Sequence, residues 1–182
     1  DDQILGTHTE NEGLLLQVKD VGTVFVQGNG QSALAEFKSG IRSNPVMSAQ
    51  AQGLSEQDML DLAAYFSAQD AKPLDASAED QLIARGRAVF AQGDLQQGIP
   101  PCQGCHGADG RGPRPQTEST RTPWHSFPAL AGQQSAYVLA QLKAFKSGER
   151  DSNSNARVMQ GVVQGMDEAT MQALAEYVKT LP

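Results

Sequence analysis

Apolar residues recur at helical spacing in short stretches, most of them opened by a Ser or Asp and closed by a glycine, and this pattern predicts small helices rather than a large sheet. Met59, Leu62 and Phe66 form one such stripe. Ser55 and Asp58 make a capping box ahead of it, with Asp in place of the usual Glu, and Leu54 and Met59 stand as a hydrophobic staple, so the helix is expected to run to about Ala68. Ser77 and Asp80 open a second, carrying Leu82, Ile83, Gly86, Val89 and Phe90 and ending near Gly93. A mid-helix glycine costs about 1 kcal/mol against Ala, so Gly86 calls for the close approach of another helix. Residues 135–147 predict a helix with Val138, Leu142 and Phe145 on one face, closed by Gly148. The last helix is expected from Asp167, with Met166 and Met171 as its staple and Met171, Leu174 and Val178 as its stripe.

Elsewhere the pattern changes. Leu14, Leu16 and Val18 alternate, as do Val24 and Val26, and with Lys19–Gly22 between them they read as a short β-hairpin, although Leu14-Leu15-Leu16 equally suits the start of a helix. Residues 32–39 predict a short helix with Leu34 and Phe37 on one face. Residues 41–53, and those between Gly148 and Gly165 around Met159, read as loops. Residues 1–12 are polar and patternless, as a frayed terminus would be. Ala71–Ala76, with Pro73, marks a linker. The fold class expected is therefore mainly α, in two helical domains: 1–72, a linker at 73–76, and 77–182.

Within the irregular stretch from Gly98 to Gly132 lies Cys102-Gln103-Gly104-Cys105-His106, the C-x-x-C-H spacing of a covalently attached c-type haem. Two sulfurs three residues apart can add to the two vinyl groups of one porphyrin, and the adjoining imidazole can sit beneath its iron. These are the only cysteines in the chain. A zinc site would want further paired Cys or His, and a thioredoxin-type dithiol a βαβ setting; neither is visible. Haem attachment is ordinarily completed outside the cytoplasm, so the motif implies an exported, periplasmic protein whose signal peptide has been removed. No run of 18 apolar residues predicts a membrane span.

Charge separates the two halves. Residues 1–75 hold four basic and eleven acidic side chains, so they carry the whole net charge of -7, while residues 76–182 hold ten of each. A solvated acidic surface or a steering face for a basic partner would both produce this, and no nucleic-acid partner is expected for either half.

The halves are also related in sequence. Phe37-Lys38-Ser39-Gly40 recurs as Phe145-Lys146-Ser147-Gly148, with Arg42 matching Arg150. After a four-residue shift, Met47 matches Met159, Gly53 Gly165, Met59 Met171, Leu62 Leu174, Ala63 Ala175 and Tyr65 Tyr177. A duplicated domain is expected, whose first copy has no cysteine and hence no haem.

With these motifs the chain resembles the class I cytochromes c of the two-domain type called cytochrome c4. The resemblance is carried from residue 77 onward by Gly86-x-x-x-Phe90, Gly98 to His106, Phe127-Pro128-Ala129-Leu130-Ala131-Gly132-Gln133, Gln141 to Phe145 and Val158-Met159-Gln160-Gly161. It extends to residues 32–70 of the first half and not to residues 1–30. That family carries one haem per domain, so this chain departs from it by lacking the first motif.

The resemblance implies thioether attachment at Cys102 and Cys105, a proximal ligand in His106 and a distal ligand in Met159. It gives Pro128 a carbonyl that holds the imidazole, and it implies a first-to-last helix crossing at Gly86, Phe90 and Tyr177. Phe127, Leu130, Leu142, Phe145 and Val158 would enclose the porphyrin. Met47, Met166 and Met171 are expected as core fillers. His125 is expected in solvent, and Arg111, Arg114 and Arg121 in a solvated loop or paired with propionates or with the acidic first domain.

With all six iron positions filled, the implied function is electron transfer by one covalent haem c, between redox proteins such as a dehydrogenase subunit or a terminal oxidase. Two alternatives are a permanent cytochrome subunit of a flavin or sulfur-oxidising dehydrogenase and, with an open distal position, a haem enzyme of peroxidase type.

Overall fold

In the computed structural model the described residues are 14–18, 22–26, 30–67, 73–74, 80–112 and 127–181. Strands β1 (Leu14–Val18) and β2 (Gly22–Val26) pair antiparallel, with Leu14 opposite Val26 and Val18 opposite Gly22. Eight helices follow among the described residues: α1 (Gly30–Ser39), α2 (Pro45–Gln52), α3 (Glu56–Ser67), α4 (Asp80–Gln92), α5 (Gln103–His106), α6 (Ser135–Ser147), α7 (Ser154–Val163) and α8 (Glu168–Lys179). The fold is mainly helical, as the pattern predicted. The cap at Ser77, the linker residues other than Pro73 and Leu74, and the loop carrying Arg114, Arg121 and His125 lie outside the described residues.

Two apolar clusters organise the helices. In the second half α8 is the central element: Met171, Leu174, Ala175 and Val178 face inward with Phe90, Leu142, Phe145 and Met166. Helix α4 crosses it with almost no gap. A Cβ at Gly86 would lie 2.0 Å from the Ala173 carbonyl oxygen and 2.7 Å from Cβ of Tyr177, so only glycine permits this crossing, which is the close approach its cost called for. Phe90 then meets Tyr177 edge-on at 5.5 Å, an arrangement aromatic quadrupoles favour. In the first half Leu34, Phe37, Met47, Ala51 and Met59 form a smaller cluster, rimmed by Leu54, Leu62, Ala63 and Phe66. The hairpin bridges the halves, β1 packing on α3 and β2 on α6. Leu74 donates its amide to the Lys179 carbonyl at 3.0 Å, tying the start of the linker to the end of α8.

Local chemistry sets the helix ends. Ser55 and Asp58 close the capping box reciprocally, Ser55 N–H donating to Asp58 Oδ2 at 2.8 Å and Asp58 N–H to Ser55 Oγ at 3.1 Å. The stretches read as loops in each half contain helices instead. Asn44 accepts from the amides of Val46 and Met47 with Pro45 in the first turn, and Asn153 accepts from the amide of Ala156. Helix α2 buries only Met47 and Ala51, too few for a stripe, whereas α7 sets Ala156, Met159 and Val163 at i, i+3, i+7 toward the second-half core.

Candidate haem site

The chain approaches the C-x-x-C-H motif through a tight turn. Asp94 and Ile99 exchange both backbone hydrogen bonds at 2.8 Å, and Gln97 fastens the turn to the start of α8 by accepting from the Asp167 amide at 2.9 Å and donating to Thr170 at 3.1 Å. The turn delivers Pro100, Pro101 and Cys102 to α5. Gln103 then donates to the Ala91 carbonyl at 2.6 Å, locking the motif to the end of α4. Spacing alone gave no sign of either glutamine's role.

Cys102 and Cys105 are both free thiols, and Cys102 packs against the second-half core. Burial pushes its thiol up to about 11. A redox dithiol needs a depressed thiol pKa, so this environment disfavours thioredoxin chemistry. No group of three or more His, Cys, Asp or Glu gathers among the described residues, which leaves a zinc cage without ligands there.

His106 is 5% exposed. Its Nδ1 lies 2.8 Å from the Pro128 carbonyl oxygen. A carbonyl only accepts, so Nδ1 carries the proton and Nε2 is left with its lone pair. Burial holds the imidazole below its ordinary pKa, against the opposing pull of the Pro128 carbonyl, and it is neutral at pH 7. That is the form in which histidine binds a metal. The carbonyl is itself positioned from the other side: Gly110 O accepts the amides of Leu130 at 2.6 Å and Ala131 at 3.0 Å. Gly110 has φ 70°, and a Cβ there would meet Leu181 at 2.7 Å, so residues 107–112 and 127–131 close together only around a glycine.

An open apolar cleft of about 520 Å³ is lined by Leu95, Gly98, Ile99 and Pro100, just ahead of the motif in the chain, and by Val158, Gly161 and Val162 of α7. Leu142 and Phe145 are buried in the second-half core, Leu130 and Met159 are half-buried against it, and Phe127 is half-buried with its ring 6.2 Å from that of His106. Val158 lines the cleft, half exposed, on α7, whose Ala156 and Val163 turn inward. Met166 and Met171 are buried as staple and stripe, and Met47 is buried in the first-half core. Arg111 is exposed. Two free thiols, a neutral directed imidazole and an apolar cleft form a donor set that suits a covalently held haem.

The C-x-x-C-H helix, tied by Gln103 to the end of α4 beside the first-to-last helix crossing and carrying a carbonyl-oriented imidazole, defines a class I cytochrome c arrangement. The family model described as Cytochrome c matches residues 83–182. Cytochrome c4 of Pseudomonas aeruginosa is 32% identical over 146 residues, covering 80% of this chain and 67% of that one. The thiosulfate dehydrogenase electron acceptor of Thiomonas intermedia is 36% identical over 152 residues, 82% of this chain and 64% of that one. The crystal structure of reduced recombinant cytochrome c4 from Pseudomonas stutzeri superposes with a TM-score of 0.71 at 31% identity, covering 84% of this chain and 79% of that one. The chain belongs to the cytochrome c family, in the two-domain class I arrangement of cytochrome c4, and that family's role is electron transfer through covalently bound haem c rather than catalysis. It spans between 56% and 67% of the length of three cytochrome c4 sequences it matches.

Proposed function

We propose that the protein is a periplasmic electron carrier holding one haem c in its second domain, residues 77–182, with the first domain, 1–72, free of haem. The buried, neutral His106, fixed by the Pro128 carbonyl directly after two free thiols, is the observation that carries this reading. Cys102 and Cys105 would hold the porphyrin covalently, His106 Nε2 would be the proximal ligand and Met159 the distal one. When bound, such a haem supplies one-electron exchange between ferric and ferrous iron with little rearrangement. Pro128 keeps the imidazole from turning. Leu130, Leu142 and Phe145 exclude water, and Leu95 and Val158 at the cleft rim form the apolar edge offered to a redox partner. No helix among the described residues is long and apolar enough to cross a membrane.

Support for a single haem comes from the first half, which has no cysteine, buries Met47 in its own small core and packs β1 on α3. An alkaline pyridine haem assay per chain with a visible spectrum tests all of this. One haem with the long-wavelength band of Met-ligated ferric iron is expected. Two haems, or a spectrum unchanged in Met159→Ala, would overturn it.

A second reading is favoured by the similarity to the thiosulfate dehydrogenase electron acceptor: a permanent subunit serving a sulfur-oxidising dehydrogenase. Stable co-purification with that enzyme supports it, and a monomer that exchanges electrons by collision supports the free carrier.

A further inference from the structure

The two walls of the apolar cleft come from different segments, and those segments meet at Gln97 and Gly165. One wall is the turn closed by Asp94 and Ile99, which leads into the motif; the other is α7, which carries Met159. Gln97 lies within the turn and is half-buried. Gly165 lies two residues past α7, and a Cβ there would come within 1.9 Å of the Gln97 carbonyl oxygen, so only glycine lets the turn lie against the α7–α8 junction. The matching glycine of the first half behaves differently. A Cβ at Gly53 would meet nothing within 4 Å among the described residues.

The Gln97 side chain bonds across the same seam. Its Oε1 accepts the Asp167 amide at 2.9 Å, and its Nε2 lies 3.1 Å from Thr170 Oγ1, 3.2 Å from Asp94 Oδ2 and 3.3 Å from Asp167 Oδ2. Thr170 is fully buried and also accepts from Arg85 Nη2 at 2.7 Å, so the turn, α4 and α8 converge on one hydroxyl. A slip of any of the three would leave polar groups unmade at a buried point, which fixes one arrangement. Asp94 holds the turn itself closed by accepting the amides of Gln96 at 2.9 Å and Gln97 at 3.2 Å. The α7–α8 junction is thus pinned to a braced turn five residues ahead of Cys102.

We propose that Gln97 positions the candidate distal ligand: by pinning the start of α8 to the turn ahead of the motif, it holds α7, and Met159 with it, at a fixed spacing from Cys102. This rests on the reading of Met159 as the distal ligand. Displacing Met159 then requires α7 to shift against the turn, which strains the bonds of Gln97. Gln97 is a positioning residue that acts through α7. The open setting of Gly53 fits this account, since the first half has no attachment motif against which Met47 would need to be held.

The test is imidazole binding to the ferric, haem-loaded full chain, followed by loss of the long-wavelength Met–iron band. Gln97→Ala removes the bonds to Thr170 and the Asp167 amide and is expected to raise the apparent imidazole affinity about tenfold. Gln97→Glu keeps the acceptor for the Asp167 amide but loses the donor, so its affinity should fall between those of Gln97→Ala and the unmodified chain. Gly165→Ala should raise the affinity as well, whereas Gly53→Ala, the same change at the matching residue, should leave it unchanged. Equal affinities in Gln97→Ala and the unmodified chain, with haem content intact, overturn the proposal. So does an equal rise in Gly165→Ala and Gly53→Ala, since that outcome reports general loosening of the fold. If Gln97→Ala fails to load haem, Gln97→Glu and Gly165→Ala decide by the same readout. Absence of the Met–iron band from the unmodified chain would instead mark failure of the Met159 assignment, and the proposal would fall with it.

Discussion

Tyr65 and Tyr177 are the same residue of a repeated sequence, yet one is 62% exposed and the other 9%. In the second half α4 lies across α8, and Tyr177 is covered by Phe90 and by the backbone at Gly86. In the first half no described helix precedes α1 to cover α3 in this way, and the hairpin packs against that helix instead. The same stripe therefore closes a full core in one setting and a partial one in the other. A helix's apolar face specifies that something must cover it, and the rest of the chain specifies what.

Matched substitutions sharpen this contrast. Tyr177→Ala is expected to cost about 3–5 kcal/mol, as for other large buried aromatics, whereas Tyr65→Ala should stay within about 0.5 kcal/mol. Chemical denaturation of the two variants checks this, and equal losses would show that the first half buries its tyrosine after all. Leu174→Ala and Leu62→Ala form the next pair. Leu174 is 3% exposed and Leu62 half-buried, so losses of about 3 and about 1 kcal/mol are expected, read from calorimetric shifts.

Where the halves are built alike, they should respond alike. Asn44→Ala and Asn153→Ala each remove an N-cap and should each cost about 1 kcal/mol; a large difference in their denaturation midpoints would break the local equivalence of α2 and α7.

The smallest effect concerns acid. Hydrogen bonds with Ser55 and with Thr170 hold the exposed carboxyls of Asp58 and Asp167 below their usual range. A folded value below the unfolded one means that each stabilises the fold above about pH 4 and loses that contribution as pH falls through the lowered value. Asp167→Asn keeps an acceptor for the cap but cannot titrate, so the acid limb of its stability profile should be shallower than that of the unmodified chain. An identical limb would remove Asp167 from the account.

Much of the local structure was legible because it is written in short-range chemistry. The bounds of α6 at Ser135 and Ser147, the reciprocal bonds of Ser55 and Asp58, and the staple of Met166 and Met171 all follow from residues within a turn of one another. Helix α2 escaped because Met47 and Ala51 are too few to make a stripe, leaving only its capping asparagine as evidence of helix, whereas α7 does carry the i, i+3, i+7 spacing at Ala156, Met159 and Val163. The roles of Gln97 and Gln103 escaped for a different reason: their partners, Asp167 and Ala91, lie beyond any local window.

By itself the sequence determined the chemistry this protein carries, since two cysteines and a histidine at fixed spacing admit few cofactors, and it determined that only one of two related halves has them. Tertiary structure alone decided how deeply His106 is buried, which holds its imidazole neutral, and it set the Pro128 carbonyl, expected from the resemblance, against Nδ1 from a segment 22 residues away. It alone also brought Arg42 to Gln141, the residue to which Arg150 donates. A repeat shows that two arginines correspond, but only the packing of one half on the other makes them neighbours.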